Sequence, residues 1–315
     1  MLAQDTPPFF IVGAGRSGTT LLRLMLCGHP KLFIPPEAWF LGNVMWHLPS
    51  SGALSKEDLA ECERLILSGD RWKDWQCSDE RLREILRGCA GLDLASVIDR
   101  LFREVFDLPP GVRWGEKTPK HSYLVERIGA IFPESQFIHL IRDGRDVASS
   151  MLARGWFGAN PRRVAEHWRS CVSGASKASA FGPRRYLEVR FESLVEHPEA
   201  GIRKICGFLG ADFVPSMLAY QKQVGRFIPS GEGALHNKLN AKLSAGEVGK
   251  WIDSLSAWQE AVFWNVAWRE MRSLYPSAKP RFASRLLSPS AGAYLRADRL
   301  KGLVASKLPR HKPWR

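Results

Sequence analysis

The stretch Phe9-Phe10-Ile11-Val12-Gly13-Ala14-Gly15-Arg16-Ser17-Gly18-Thr19-Thr20-Leu21-Leu22 decides how the rest of the chain is read. The apolar run behind Pro7-Pro8 predicts a buried strand, and Leu21-Leu22-Arg23-Leu24-Met25-Leu26 predicts an apolar helix. Between them lies a glycine-rich turn. The backbone N–H groups of such a turn, with the positive end of the helix dipole behind them, cradle an oxyanion. The spacing Gly13-x4-Gly18 is that of a phosphate-binding loop, but Thr19 stands where a nucleotide hydrolase carries lysine. Arg16 is the only cation in the loop. Taken alone, the segment is compatible with a tight turn and with an anion site; its companions further along separate the two.

The chain has 315 residues, enough for one large domain or two small ones. Its 45 Lys and Arg against 32 Asp and Glu give a net charge of +13, which points to anionic partners. Charge alone leaves nucleic acid, acidic lipid and a multiply phosphorylated cofactor open, and much of the excess lies after Pro276. The six cysteines form no CxxC pair and no Cys/His cluster at zinc spacing, so they predict core thiols, a reducing compartment and no metal site. No apolar run has membrane-spanning length, and a strand beginning near Pro8 leaves no room for a signal peptide. A cytoplasmic location is the expectation.

Strand patterns at Val112–Gly115, Gln136–Ile141 and Arg185–Val189 alternate with helical ones at Thr118–Ile131, from about Arg145, Pro161–Ala180, Pro198–Leu209 and Ser256–Leu274. That alternation predicts an α/β domain with a central parallel sheet flanked by helices, a three-layer P-loop-type fold. We assign it to residues 1–275, with a helical insert over about 38–111 and a basic tail over 276–315. Ser55 and Ser78, each followed by acidic residues, predict helix N-caps in the insert. Gln221–Gly249 is glycine-rich and loop-like.

A second anchor is Leu140-Ile141-Arg142-Asp143-Gly144-Arg145-Asp146-Val147-Ala148-Ser149-Ser150. Where a Walker-type magnesium site would end its strand in aspartate, this strand runs into Arg142. The carboxyl ends of strands are where open α/β sheets bind ligands. Ser150 follows Arg142 by eight residues, about two helical turns, so both can grip one anion. The alternative is an Arg-Asp pair that merely fastens the turn.

These blocks, in this order, resemble the PAPS-dependent sulfotransferases, in particular the branch with an RSGTT loop that includes tyrosylprotein sulfotransferases and many bacterial members. The likeness rests on Gly15-Arg16-Ser17-Gly18-Thr19-Thr20, Gly115-Glu116-Lys117-Thr118-Pro119, Arg142 to Ser150, and Val189-Arg190-Phe191-Glu192-Ser193-Leu194. Gly249-Lys250-Trp251 is similar to the late cofactor-binding motif of that family. The resemblance implies that Gly15, Arg16, Ser17, Gly18, Thr19 and Thr20 hold the 5′-phosphosulfate of PAPS. It implies Arg142 and Ser150 at the 3′-phosphate, Lys250 reinforcing that end, and Phe191 near the adenine. Phe191 replaces the tyrosine of the family motif, so a hydroxyl is lost while stacking remains.

Sulfuryl transfer to a hydroxyl needs a base for the acceptor proton, and cations and N–H donors for charge on the leaving oxygen. Glu37, behind Pro35-Pro36, matches the glutamate base of the tyrosylprotein branch; otherwise it is a first-turn carboxylate before Ala38-Trp39. Arg16 and Lys117 are the cations expected at the transferring group, with a Glu116 salt bridge as the alternative for Lys117. The histidine that follows a Lys-Thr pair in cytosolic small-molecule members is replaced here by Pro119. His121 is expected on a helix surface and His139 in the core.

Trp39, Phe40, Trp46 and His47 are candidate acceptor contacts, while Trp72 and Trp75 can equally be core. The implied acceptor is a hydroxyl compound, whether carbohydrate, lipid-linked, phenolic or tyrosyl, with no nucleic acid and no metal required. The basic tail is compatible with peripheral contact to acidic membrane or with a solvated charge run. The rival functions are a P-loop kinase or NTPase and a non-enzymatic polyanion binder.

Overall fold

The computed structural model describes residues 6–227 and 245–305. Residues 228–244, most of the stretch expected to be a loop, lie outside that description, as do residues 306–315 of the basic tail. In chain order the elements are β1 (Phe9–Val12), α1 (Thr19–Leu26), β2 (Leu32–Phe33), α2 (Trp39–His47), α3 (Lys56–Leu67), α4 (Asp79–Arg87), α5 (Leu94–Val105), β3 (Arg113–Glu116), α6 (Val125–Ile131), β4 (Gln136–Ile141), α7 (Gly144–Leu152) and α8 (Pro161–Ser176). They continue with β5 (Tyr186–Arg190), α9 (Phe191–Glu196), α10 (Pro198–Leu209), α11 (Gln221–Phe227), α12 (Trp251–Ser254), α13 (Ala257–Leu274), α14 (Phe282–Leu286) and α15 (Ser288–Ala305).

Among the described residues the sheet has five strands in the order β2-β3-β1-β4-β5, all pairs parallel. Alternate residues of the strands feed two cores. Phe10 and Val12, with Trp114 and Phe137, face the helical insert, where Phe40, Trp72, Trp75 and Phe102 fill the layer. Phe9, Ile11, Ile138 and Leu140 face the other way, onto α1, α9 and α10 through Leu22, Leu194 and Ile202. Burial on both faces is why β1 and β4 read as unbroken apolar runs.

The caps expected at Ser55 and Ser78 form: Ser55 makes a full capping box with Asp58, and Ser78 accepts from the Arg81 N–H at 3.1 Å. One expected helix breaks in two. Pro119–Tyr123 is a 3-10 turn, and only Val125–Ile131 is α-helical, because the turn directs Ser122 and His121 inward to polar partners described below. Residues after Tyr275 also pack: Ala291 and Leu295 of α15 lie buried against Ala261 and Val262 of α13.

Candidate active site

The loop after β1 is shaped by neighbours too close for side chains. Gly13 has φ 145°, and a β-carbon there would run into the Leu140 carbonyl of β4; at Gly18, with φ 91°, it would run into the Phe191 ring. Ser122 accepts from the Gly13 N–H at 2.9 Å and donates to the Gly13 carbonyl at 3.2 Å, which pins the start of the loop. Arg16 holds a left-handed backbone, φ 68°, unusual for a residue with a side chain and a mark of functional loops. Its Nε–H donates to Ser150 Oγ at 3.1 Å. Burial, reinforced by the charges of Arg154 and Arg142, lowers its pKa to about 10, so it stays cationic at neutral pH.

Arg142 leaves β4 at its carboxyl end and donates to the Arg16 carbonyl (3.1 Å) and the Glu247 carbonyl (2.6 Å), with its guanidinium 4.6 Å over the Phe191 ring. Ser150 and Arg142 thus converge on Arg16 from two directions, which joins both anchors into one basic cradle. Two donors in it are unspent. Among the described residues, the buried Ser17 hydroxyl and Arg142 Nε have no hydrogen-bond partner. A buried donor without a partner is costly, and an anionic oxygen removes that cost. The residues therefore fit a phosphorylated ligand.

Asp146, which the sequence reading left unassigned, ties the late motif to this cradle. Its carboxylate accepts from the N–H groups of Gly249 and Trp251, both at 2.9 Å. The Trp251 ring has the Arg145 guanidinium over it at 3.8 Å and that of Arg281 at 5.4 Å. Lys250, expected at the phosphate end, forms an ion pair with Glu247 at the rim.

Glu37 sits at the opposite end of the loop. One carboxylate oxygen takes the buried Lys117 ammonium, and the other accepts from the Trp39 indole N–H at 2.6 Å. Lys117 also donates to Thr20 Oγ1 at 3.1 Å, so it links the candidate base to the loop. Burial pushes the Glu37 carboxyl upward, but the Lys117 charge and hydrogen bond, with Trp39 and Arg71, outweigh it and hold the group below its ordinary value. The alternative pairing of Lys117 with Glu116 is not the one formed: Glu37 takes the ammonium, and the Glu116 carboxylate has other partners.

Glu116 instead accepts from Thr118 Oγ1 and lies 2.6 Å from His121 Nδ1, while Thr118 Oγ1 accepts from the Ala38 N–H at 3.0 Å. The segment after β3 thus holds Glu37 twice: by its carboxylate through Lys117 and by the following amide through Thr118. His121, expected on a surface, is buried by this network. His139 is a core residue as expected, 2.8 Å from the Tyr186 hydroxyl, and burial next to Arg190 lowers its pKa to about 3.

Of the candidate acceptor contacts, Phe40, Trp72 and Trp75 belong to the core, whereas Trp39 is half-exposed beside Glu37. Its ring carries Lys120 at 4.2 Å and Arg71 at 5.4 Å. Trp46 and His47 are exposed on α2. Among the described residues no group of three or more His, Cys, Asp and Glu could hold a metal ion, and no helix is long and apolar enough to cross a membrane.

A family model described as "Sulfotransferase family" matches residues 7–215, from the first strand past the last. The chain belongs to the sulfotransferase family. Protein-tyrosine sulfotransferase 2 of Gallus gallus is 29% identical over 243 residues, covering 71% of this chain and 56% of that protein. The chain thus spans about half the length of the curated relatives it matches. The sulfotransferase domain of the Synechococcus PCC 7002 olefin synthase superposes with a TM-score of 0.60 at 19% identity, over 92% of this chain and 97% of that one. A mouse sulfotransferase solved as a complex with PAP superposes with a TM-score of 0.50 at 16% identity, over 92% and 90% of the two chains. These likenesses show the sulfotransferase fold.

Proposed function

We propose that this chain transfers the sulfuryl group of PAPS to an acceptor hydroxyl, giving PAP and a sulfate ester. The observation that carries the reading is the unbroken polar path from Arg142 through Arg16 and Ser150 to the loop, and through Thr20 and Lys117 to Glu37. A cradle for phosphate oxygens ends at a carboxylate, which a phosphate-binding turn alone would not require.

When bound, PAPS supplies a sulfuryl group on a phosphate that is already a good leaving group. Ser17, the loop N–H groups and Arg16 would hold the 5′ end, and Arg142 with its unspent Nε the 3′-phosphate. Glu37, ionised at neutral pH, would accept the acceptor's proton as its oxygen bonds to sulfur. Lys117 and Arg16 would stabilise the negative charge that leaves on the bridging oxygen. The PAP carried by the mouse neighbour is consistent with this ligand.

For the acceptor we favour a phenolic hydroxyl flanked by negative charge. Trp39 offers a flat ring beside the base, and Lys120 and Arg71 are cations on that ring. The protein-tyrosine sulfotransferases among the relatives make a tyrosyl group the first phenol to try. Calorimetric titration with PAP, against ATP-Mg and adenosine 5′-phosphate at matched salt, tests the cofactor. Metal-independent PAP binding, with adenosine 5′-phosphate far weaker, is expected; ATP-Mg binding with no preference for PAP would turn the reading to a kinase. Transfer of labelled sulfate from PAPS to a tyrosine peptide with acidic neighbours, against the same peptide with neutral ones, tests the acceptor.

A further inference from the structure

The short helix α14 is built inside out. A polar anchor points in: Arg281, just ahead of the helix, donates through Nε to the fully buried Glu260 carboxylate at 2.6 Å, and Ser284 Oγ donates to the same oxygen at 2.6 Å. Arg281 also donates to the carbonyls of Ile252 (2.9 Å) and Leu255 (2.7 Å), which fastens the helix to α12. Its apolar residues point out. Phe282 and Leu286, one helical turn apart, are 76% and 66% exposed, and Ile252 beside Arg281 is 54% exposed. A soluble surface scatters single apolar residues, but a polar anchor inward with phenylalanine and leucine outward is the reverse of the usual helix pattern.

The charge of the C-terminal sequence, with the cations beside this face, points to its occupant. From Pro276 to the end, the sequence carries ten Lys and Arg against the single acid Asp298. Lys279 and Arg285 are exposed on either side of Phe282. We propose that the α14 face is a peripheral membrane-docking surface, in which Phe282, Leu286 and Ile252 enter the headgroup region of a bilayer and the flanking cations meet anionic lipids. Apolar insertion and electrostatic attraction are the two signals that lasting peripheral attachment needs. An anionic lipid surface offers both an apolar layer for Phe282 and Leu286 and negative charge for Lys279 and Arg285. This inference stands on α13, α14 and the C-terminal charge, and does not depend on the reaction proposed above.

The test is sedimentation of the full chain with phosphatidylcholine vesicles and with vesicles that also contain phosphatidylserine. Binding is expected to the second and far less to the first, and to weaken as salt rises. The double substitution Phe282→Ser/Leu286→Ser is expected to cut that binding by about tenfold or more, since two large apolar side chains lose their burial. The circular dichroism spectrum and melting temperature of the same variant are expected to match the parent, which shows that the fold is kept. If the variant fails that control, Lys279→Glu/Arg285→Glu reads the same surface, and must weaken binding to the anionic vesicles. Three results would overturn the proposal: no binding to either vesicle, vesicle binding that both variants leave intact, or an apolar face that serves self-association, seen as a dimer that Phe282→Ser/Leu286→Ser dissolves without vesicle binding.

Discussion

Two buried arginines at opposite ends of one sheet differ in how fully the protein uses them. Arg113 opens β3 and engages every nitrogen of its guanidinium with the protein: Nε to the Pro7 carbonyl at 2.6 Å, Nη1 to the Leu209 carbonyl at 2.8 Å, Nη2 to Gln136 Oε1 at 2.7 Å. Burial alone lowers its pKa to about 10. Arg142 closes the neighbourhood of β4 at the other end and leaves Nε buried without a partner among the described residues. The first is a rivet between the amino ends of strands and the chain that frames them. The second is a rivet with one arm left open. Two carboxylates repeat the contrast: Glu116 is consumed by Thr118, His121 and the Ala38 amide, whereas Glu37 keeps a small exposed edge, and its partners are a lysine and an indole at the edge of the cradle.

The contrast is sharpest in turnover. Glu37→Gln keeps the shape and the Trp39 hydrogen bond but removes the proposed base, so turnover is expected to fall by about a hundredfold to ten-thousandfold. PAP affinity should stay within about twofold, since a carboxylate that meets the acceptor adds no net hydrogen bond of about 1 kcal/mol to PAP. Steady-state rates and calorimetry on one preparation check both halves. Unchanged turnover would remove Glu37 from its role.

The arginines give the next largest effect. Arg113→Ala strands buried acceptors and is expected to cost about 3 kcal/mol of stability in denaturant melts, without altering which nucleotides bind. Arg142→Ala is expected to weaken PAP by about tenfold to a hundredfold, the worth of one or two charge-assisted hydrogen bonds, while sparing adenosine 5′-phosphosulfate, which has no 3′-phosphate. Equal losses on both nucleotides would make Arg142 another Arg113.

Lys117→Ala reads the electrostatics. The Glu37 carboxyl is depressed, so the acid limb of kcat/KM for the parent is expected below pH 4.5, its ordinary value. Without the ammonium, burial prevails and the limb should move above that value, with activity lost as pH falls through it. A limb that does not move would mean that another group carries the titration.

The sequence made some of this legible and hid the rest for physical reasons. β1, β4 and the loop between β1 and α1 are visible because burial on both faces writes an uninterrupted apolar run that ends in glycine. The meeting of Glu37 with Lys117, 80 positions apart, is a product of strand order that no local pattern encodes. Asp146 carries no local signal, and its role appears only when Gly249 and Trp251 return to it across more than a hundred residues. His121 was misread because Thr118–Ile131 has helical periodicity; the 3-10 turn at Pro119 rotates that histidine toward Glu116.

The smallest expected effect is the one that tests whether position alone matters. Thr118 is fully buried, and its hydroxyl passes a hydrogen bond from the Ala38 amide to Glu116, one residue from the proposed base. Thr118→Val keeps the volume and removes that link, worth about 1 kcal/mol, so kcat is expected to fall by about fivefold. A merely destabilised protein would lose active molecules, not rate per molecule, so kcat must be counted against sites titrated with PAP. The acid limb should stay where Lys117 sets it, since the ammonium is untouched. Thr118→Ser restores the hydroxyl and should recover most of the rate; if it does not, packing by the methyl group rather than the hydrogen bond holds Glu37 in place.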